Sequence, residues 1–141
     1  MTRVTNISRE MVLKIPIDAP IISIGDRYSQ FTNIPNHENR PVLRVNFFTG
    51  DHASPDVANH ILNDEQAEKI LTFVKENLDK EVIYVQCGEG RIRSYTVCDA
   101  LSYALIEQDV IHDHELASIK TGIIDRHTAR TLIEVARRDE E

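Results

Sequence analysis

Short apolar runs alternate with longer amphipathic stretches along this chain, the pattern of strands exchanged with helices. Thr2 to Ile7 reads as a short strand, and Ser8 stands where it can cap a brief helical turn through Met11 and Leu13. Ala19 to Ile24 is a second strand, rich in β-branched residues and closed by Gly25-Asp26. The polar stretch from Arg27 to Pro41, with its Asn and Pro residues, reads as a loop, and Val42 to Phe47 as the next strand. A second loop, Phe48 to Asp56, carries two carboxylates. From Asn63 or Asp64 a helix is predicted, because Ala67, Ile70, Leu71, Val74 and Leu78 recur on one face. Val82 to Val85 is a compact β-rich run, followed by a loop with two glycines and an amphipathic segment from Ser94 that turns Val97, Leu101, Ala104 and Leu105 inward. Gly122 breaks the chain before a last helix, Arg126 to Arg138, striped by Ala129, Leu132, Ile133 and Ala136, and the charged tail beyond it is expected to fray.

The strands on either side of the Asn63 helix need a crossover, so they are expected to be parallel and adjacent or nearly so. The predicted architecture is therefore α/β: a single domain over residues 1–141, with a mainly parallel central sheet flanked by helices. No repeat, linker or low-complexity stretch interrupts it, and 141 residues suffice for a core without staples. The two cysteines, Cys87 and Cys98, do not make a disulfide framework; Cys98, one turn into the helix, is read as packing. No run is long enough to span a bilayer, and Met1 to Asn6 lacks the apolar core of a signal peptide, so a cytoplasmic location is the default expectation. The formal charge of −7 argues against a general nucleic-acid surface and means that any anionic partner must be attracted locally.

A local source exists between Glu81 and Ala104. The amides of a glycine-containing loop, followed by the unpaired N–H groups of a helix start, form a concave anion site with the positive end of a helix dipole behind it. Here that loop begins with Cys87 and ends with Arg93, five residues lying between them. A thiol at the mouth of an anion site is stabilised as the nucleophilic thiolate, and a guanidinium offers a planar fork to two oxygens at once.

The segment Cys87-Gly88-Glu89-Gly90-Arg91-Ile92-Arg93-Ser94 resembles the signature loop of the cysteine-dependent protein tyrosine and dual-specificity phosphatases, down to the glycine at position 90 and the hydroxyl at 94. The resemblance implies a dual-specificity-phosphatase-like fold and hydrolysis of phosphate monoesters without a metal or other cofactor. It implies that Cys87 attacks phosphorus, that Arg93 and the loop from Gly88 through Glu89, Gly90, Arg91 and Ile92 hold the equatorial oxygens, and that Ser94 helps the thiolate leave. In the family a loop after the strand corresponding to Val42–Phe47 supplies the acid that protonates the leaving oxygen. Asp51 is preferred for that role, being nearest the strand end and preceded by Gly50, with Asp56 and His52 as alternatives. The implied partner is a phosphorylated substrate, a phosphoprotein first, with an inositol phosphate or an RNA 5′-phosphate left open. Arg91 stands where family members acting on inositol lipids often carry a basic residue.

Two positions depart from the family pattern. Gln86 replaces the histidine that usually precedes the cysteine, and it offers a hydrogen bond but no positive charge, so activation of Cys87 is expected to be weaker. Glu89 places an anion in the loop that must point outward, with Arg91 partly offsetting it. Two further readings therefore stand beside hydrolysis: a phosphate-binding module without turnover, and sulfur transfer of the rhodanese kind, against which Gly90 and the Arg93-Ser94 ending count. His112-Asp113-His114-Glu115 has the residue types of a metal site, but no further His or Cys cluster completes one, so it is read as a solvated helix start and no metal is expected.

Overall fold

Five short strands rich in Val, Ile and Thr pair in parallel throughout, as continuous apolar runs do when both faces of a sheet are covered. In the computed structural model, which describes residues 1–25, 31–50, 60–117 and 122–140, these are β1 (Thr2–Ile7), β2 (Ile21–Gly25), β3 (Val42–Asn46), β4 (Val82–Gln86) and β5 (Val110–His112). Their order across the sheet is β3-β2-β4-β1-β5, which puts β4 at the centre between β1 and β2. The strands flanking the first helix, β3 and β4, are parallel and separated by β2 alone. An α/β fold with a parallel central sheet is thus what the hydrophobic pattern predicts and what the chain forms.

The two faces are covered unequally. Val4, Ile22, Ile24, Val45, Ile83, Val85 and Cys87 join a large core beneath the helices α1 (Asp64–Glu76), α2 (Arg93–Ala104) and α3 (Arg126–Asp139). Residues of opposite parity, Ile7, Ile21 and Tyr84, join Val12 and Ile34 in a smaller core on the other side, as the two-residue repeat of a strand requires. That side is closed by a 3-10 turn at Arg9–Lys14 and by the segment carrying Ile34, with no α-helix among the described residues. Among the described residues, α-helices therefore flank one face of the sheet only. The β1 to β2 connection is too brief and too punctuated by Pro16 and Pro20 to hold an α-helix.

α1 begins where an Asx residue and a glutamine three positions on predict it. The Asn63 side chain accepts from the Gln66 amide at 2.8 Å, and the Gln66 side chain accepts from the Asn63 amide at 3.2 Å. The remaining Gln66 donor reaches the Asn46 carbonyl at 2.7 Å and so ties the helix start to the end of β3.

Two expectations are corrected. His112 to Glu115 does not open a helix: Val110–His112 is an edge strand paired to β1, with Val4 opposite His112, and His112 is buried. Three residues with a polar tail carry no readable period of their own, and pairing to β1 decides their state. In α3 the buried face is rotated from the apolar stripe. It centres on Leu132, Val135 and Ala136 and takes in Thr128 and Thr131, whose hydroxyls are satisfied by Asp125 and the His127 carbonyl, while Ala129 and Ile133 are only partly buried. Among the described residues no helix is long and apolar enough to cross a membrane.

Candidate active site

The loop from Cys87 to Arg93 lies at the C-terminal end of the central strand, where the parallel strands release their connections and open α/β sheets form ligand crevices. Cys87 follows β4 on the helix-covered face and is 3% exposed. Its Sγ lies 3.1 Å from Oγ of Ser94, a buried residue in the first turn of α2, so the strand end and the helix start bring thiol and hydroxyl together. With the sulfur ionised, the hydroxyl can donate to it.

The end of β1 and the turn that follows it grip the loop. The Cys87 amide donates to the Ile7 carbonyl at 3.3 Å, and the Arg9 amide donates to the Gly88 carbonyl at 3.0 Å. The Gly90 carbonyl accepts from the buried Asn6 side-chain amide at 2.8 Å. A trans peptide points its N–H opposite to its C=O, so fixing the Gly88 carbonyl on Arg9, just past β1, and the Gly90 carbonyl on Asn6 of β1 turns the amides of Glu89 and Arg91 away from those partners. Gly90 has φ +71°, and a Cβ there would come within 2.6 Å of the Ile7 and Ser8 backbone. Only glycine meets both conditions cheaply.

Arg93 starts α2 and lays Nη1 across two strand ends, donating to the Gly25 carbonyl at 3.1 Å and to the Phe47 carbonyl at 3.0 Å. Its other nitrogens make no hydrogen bond among the described residues. Glu89 and Arg91 face solvent, with side chains 79% and 56% exposed and an N···O separation of 3.9 Å. The carboxylate therefore points outward, and Arg91 shares its charge with it. Ile92 holds the N-cap position of α2, and its carbonyl accepts from the Thr96 amide.

Gln86 and Cys87 leave the strand on opposite faces. The Gln86 side chain is buried against Ser23, its register partner on β2, whose hydroxyl donates to Oε1 at 2.6 Å, and its Nε2 donates to Thr32 Oγ1 at 3.1 Å. Both neighbours are neutral, and neither bond reaches the sulfur. Cys98 is fully buried one turn beyond Ser94, and burial pushes its thiol well up from its ordinary value, so it stays protonated and packs as a small apolar residue.

Asp51, with the alternatives Asp56 and His52, lies outside the described residues. The preceding residue is held firmly: the Gly50 amide donates to Asp125 Oδ2 at 2.8 Å, and a Cβ at Gly50 would collide with the His127 ring. Asp125 is 2% exposed, its carboxylate accepts from the Thr128 hydroxyl as well, and its backbone carbonyl accepts from the Ala129 amide in the first turn of α3. Pattern reading did not single out Asp125 or Asn6. An acid immediately before a helix was the available signal for the first, and an asparagine at an inward-facing strand position for the second. Among the described residues no group of three or more His, Cys, Asp or Glu could hold a metal ion. No protein-family model, curated protein or solved structure matches this chain.

Proposed function

We propose that this chain is a small cysteine-dependent phosphomonoesterase with a dual-specificity-phosphatase-like fold. The observation that carries the reading is the meeting, on one loop at the end of a parallel sheet, of Cys87, a hydroxyl 3.1 Å from its sulfur, and a guanidinium with donors to give. Cys87 attacks phosphorus in line, the S–P bond forming as the bond to the leaving oxygen breaks. Asp51 protonates that oxygen, from a loop in which the residue before it, Gly50, is tethered to Asp125. The loop amides and Arg93 hold the equatorial oxygens, stabilising charge without a metal. Water then attacks the phosphocysteine, the S–P bond breaks, and the Ser94 hydroxyl donates to the departing thiolate as phosphate is released. A phosphoprotein is the substrate class we favour.

A second reading, a phosphate-binding protein without turnover, is favoured by one observation: Gln86 is held by two neutral hydroxyls and brings no charge to Cys87. Hydrolysis of para-nitrophenyl phosphate across pH, in wild type, Cys87→Ser and Asp51→Asn, decides between them. Activity that needs Cys87 and loses its basic limb with Asp51→Asn supports the enzyme. No hydrolysis at any pH, with inorganic phosphate still bound, supports the binding protein.

A further inference from the structure

Asn6 and His112 do not touch the place where phosphate would sit, yet they form a continuous buried chain that ends on the loop. β1 and β5 pair with Val4 opposite His112, so Asn6, two residues on, shares the same sheet face and lies diagonally across from the histidine. The ring Nε2 is 2.9 Å from Asn6 Oδ1, and Asn6 Nδ2 donates to the Gly90 carbonyl at 2.8 Å. The chemistry fixes every proton along this chain. A carbonyl only accepts, so the Asn6 atom facing Gly90 is the amide nitrogen and the atom facing His112 is the oxygen. An oxygen there needs a donor, so His112 carries its proton on Nε2.

The surroundings keep the ring in that form. His112 is 8% exposed under α2, with the Tyr95 ring edge-on at 4.9 Å and the His114 ring at 4.1 Å. Asp99 comes no nearer to Nδ1 than 3.8 Å, beyond hydrogen-bond reach. Burial, with His114 adding to it, lowers His112 to about 4, so the ring is neutral throughout the ordinary working range.

We infer that His112 and Asn6 are positioning residues for the anion loop: the ring donates to Asn6, Asn6 is thereby held with its amide on the Gly90 carbonyl, and the peptide after Gly90 is locked with the Arg91 N–H turned away from β1, available to an oxyanion. The inference rests on the reading of the loop as a phosphate site, but its geometric core can be tested without it. Two properties are measured in wild type, Asn6→Asp, His112→Leu, His112→Gln and the double variant Asn6→Asp/His112→Leu, using those that keep the native melting transition. One is the dissociation constant of inorganic phosphate, followed on the loop amides by NMR; the other is the rate of Cys87 alkylation by iodoacetamide as a function of pH.

Asn6→Asp keeps the shape but replaces the donor facing Gly90 with an acceptor. It is expected to weaken phosphate binding about tenfold, the cost of one lost buried hydrogen bond, and to move the onset of Cys87 alkylation to higher pH. His112→Leu should follow in the same direction by a smaller factor. His112→Gln, which can still donate to Asn6, should recover most of the loss. The double variant should be no worse than Asn6→Asp alone, because both act through one bond. The inference is overturned if Asn6→Asp, or His112→Leu with a native melt, leaves both properties at wild-type values, if Gln rescues no better than Leu, or if the two losses simply add. Should wild type itself bind no phosphate, the phosphate-site reading fails, and the alkylation profiles still decide whether His112 and Asn6 shape the loop.

Discussion

Arg40 and Arg93 sit at opposite ends of the same parallel sheet and commit their guanidinium groups differently. Arg40, at the N-terminal end of the strands and 7% exposed, places Nε and both terminal nitrogens on the carbonyls of Ala19, Pro35 and Pro16. Burial lowers its affinity for its proton, partly countered by Asp18, and all three nitrogens of the fork are engaged by carbonyls. Arg93, at the C-terminal end, uses Nη1 alone on Gly25 and Phe47 and is only half-buried. The first staples Pro16, Ala19 and Pro35 together at the start of β3. The second is anchored on one side and left with donors on the other, beside a loop whose Gly88 and Gly90 carbonyls are held by Arg9 and Asn6. An open cleft near Arg40's end, between Pro16, Pro20, Lys80 and Val82, is lined by no thiol and no Ser or Thr hydroxyl, so it lacks the grouping found at Cys87.

The sharpest way to break this contrast is at the nucleophile. Cys87→Ser is expected to abolish para-nitrophenyl phosphate hydrolysis, a loss of roughly three or more orders of magnitude, while phosphate binding persists, because the amides and Arg93 do not need the sulfur. Arg93→Lys should weaken phosphate binding about 10- to 100-fold, since a point charge cannot both bridge two strand ends and fork onto an oxyanion; isothermal titration with phosphate reads this. Arg40→Leu should do the converse, costing about 2–4 kcal/mol in urea unfolding by stranding buried carbonyls, with the phosphate dissociation constant unchanged.

β4, its loop and α2 were legible because a compact β-rich run, two glycines and the Cys-to-Arg spacing are all local, and α1 was legible from its cap and its apolar face. What was not legible depends on sheet order. Nothing in residues 1–7 says that β1 will lie between β4 and β5, and only that neighbourhood brings Asn6 to Gly90 and His112 to Asn6. The same holds for Asp125, whose role appears only when the start of α3 meets Gly50, shortly after β3. Gln86 was legible as a departure, but its partners Ser23 and Thr32 follow from β2 pairing with β4.

Smaller effects test the electrostatic half of the comparison. His112 is held near 4 in the fold against 6.5 in the unfolded chain, so its neutral form is the stable one when folded. Above about pH 6.5 it contributes no pH dependence; as pH falls from there towards 4 the unfolded chain takes up the proton first, and stability declines by on the order of 2 kcal/mol. Urea midpoints for wild type and His112→Gln should converge as the pH is lowered through that window. Gln86→His is expected to increase the alkylation rate of Cys87 by only a few-fold, because position 86 faces away from the sulfur and acts on it through the sheet. A large increase would show that charge at this position dominates activation.

The central claim is that Cys87 takes a phosphoryl group from a monoester. Rapid acid quench of wild type and Asp51→Asn during turnover of para-nitrophenyl phosphate, followed by intact-mass analysis, tests it most directly. The account predicts one added phosphoryl group, on the peptide containing Cys87 and absent from Cys87→Ser; hydrolysis that proceeds with no such adduct, or that survives in Cys87→Ser, would contradict it.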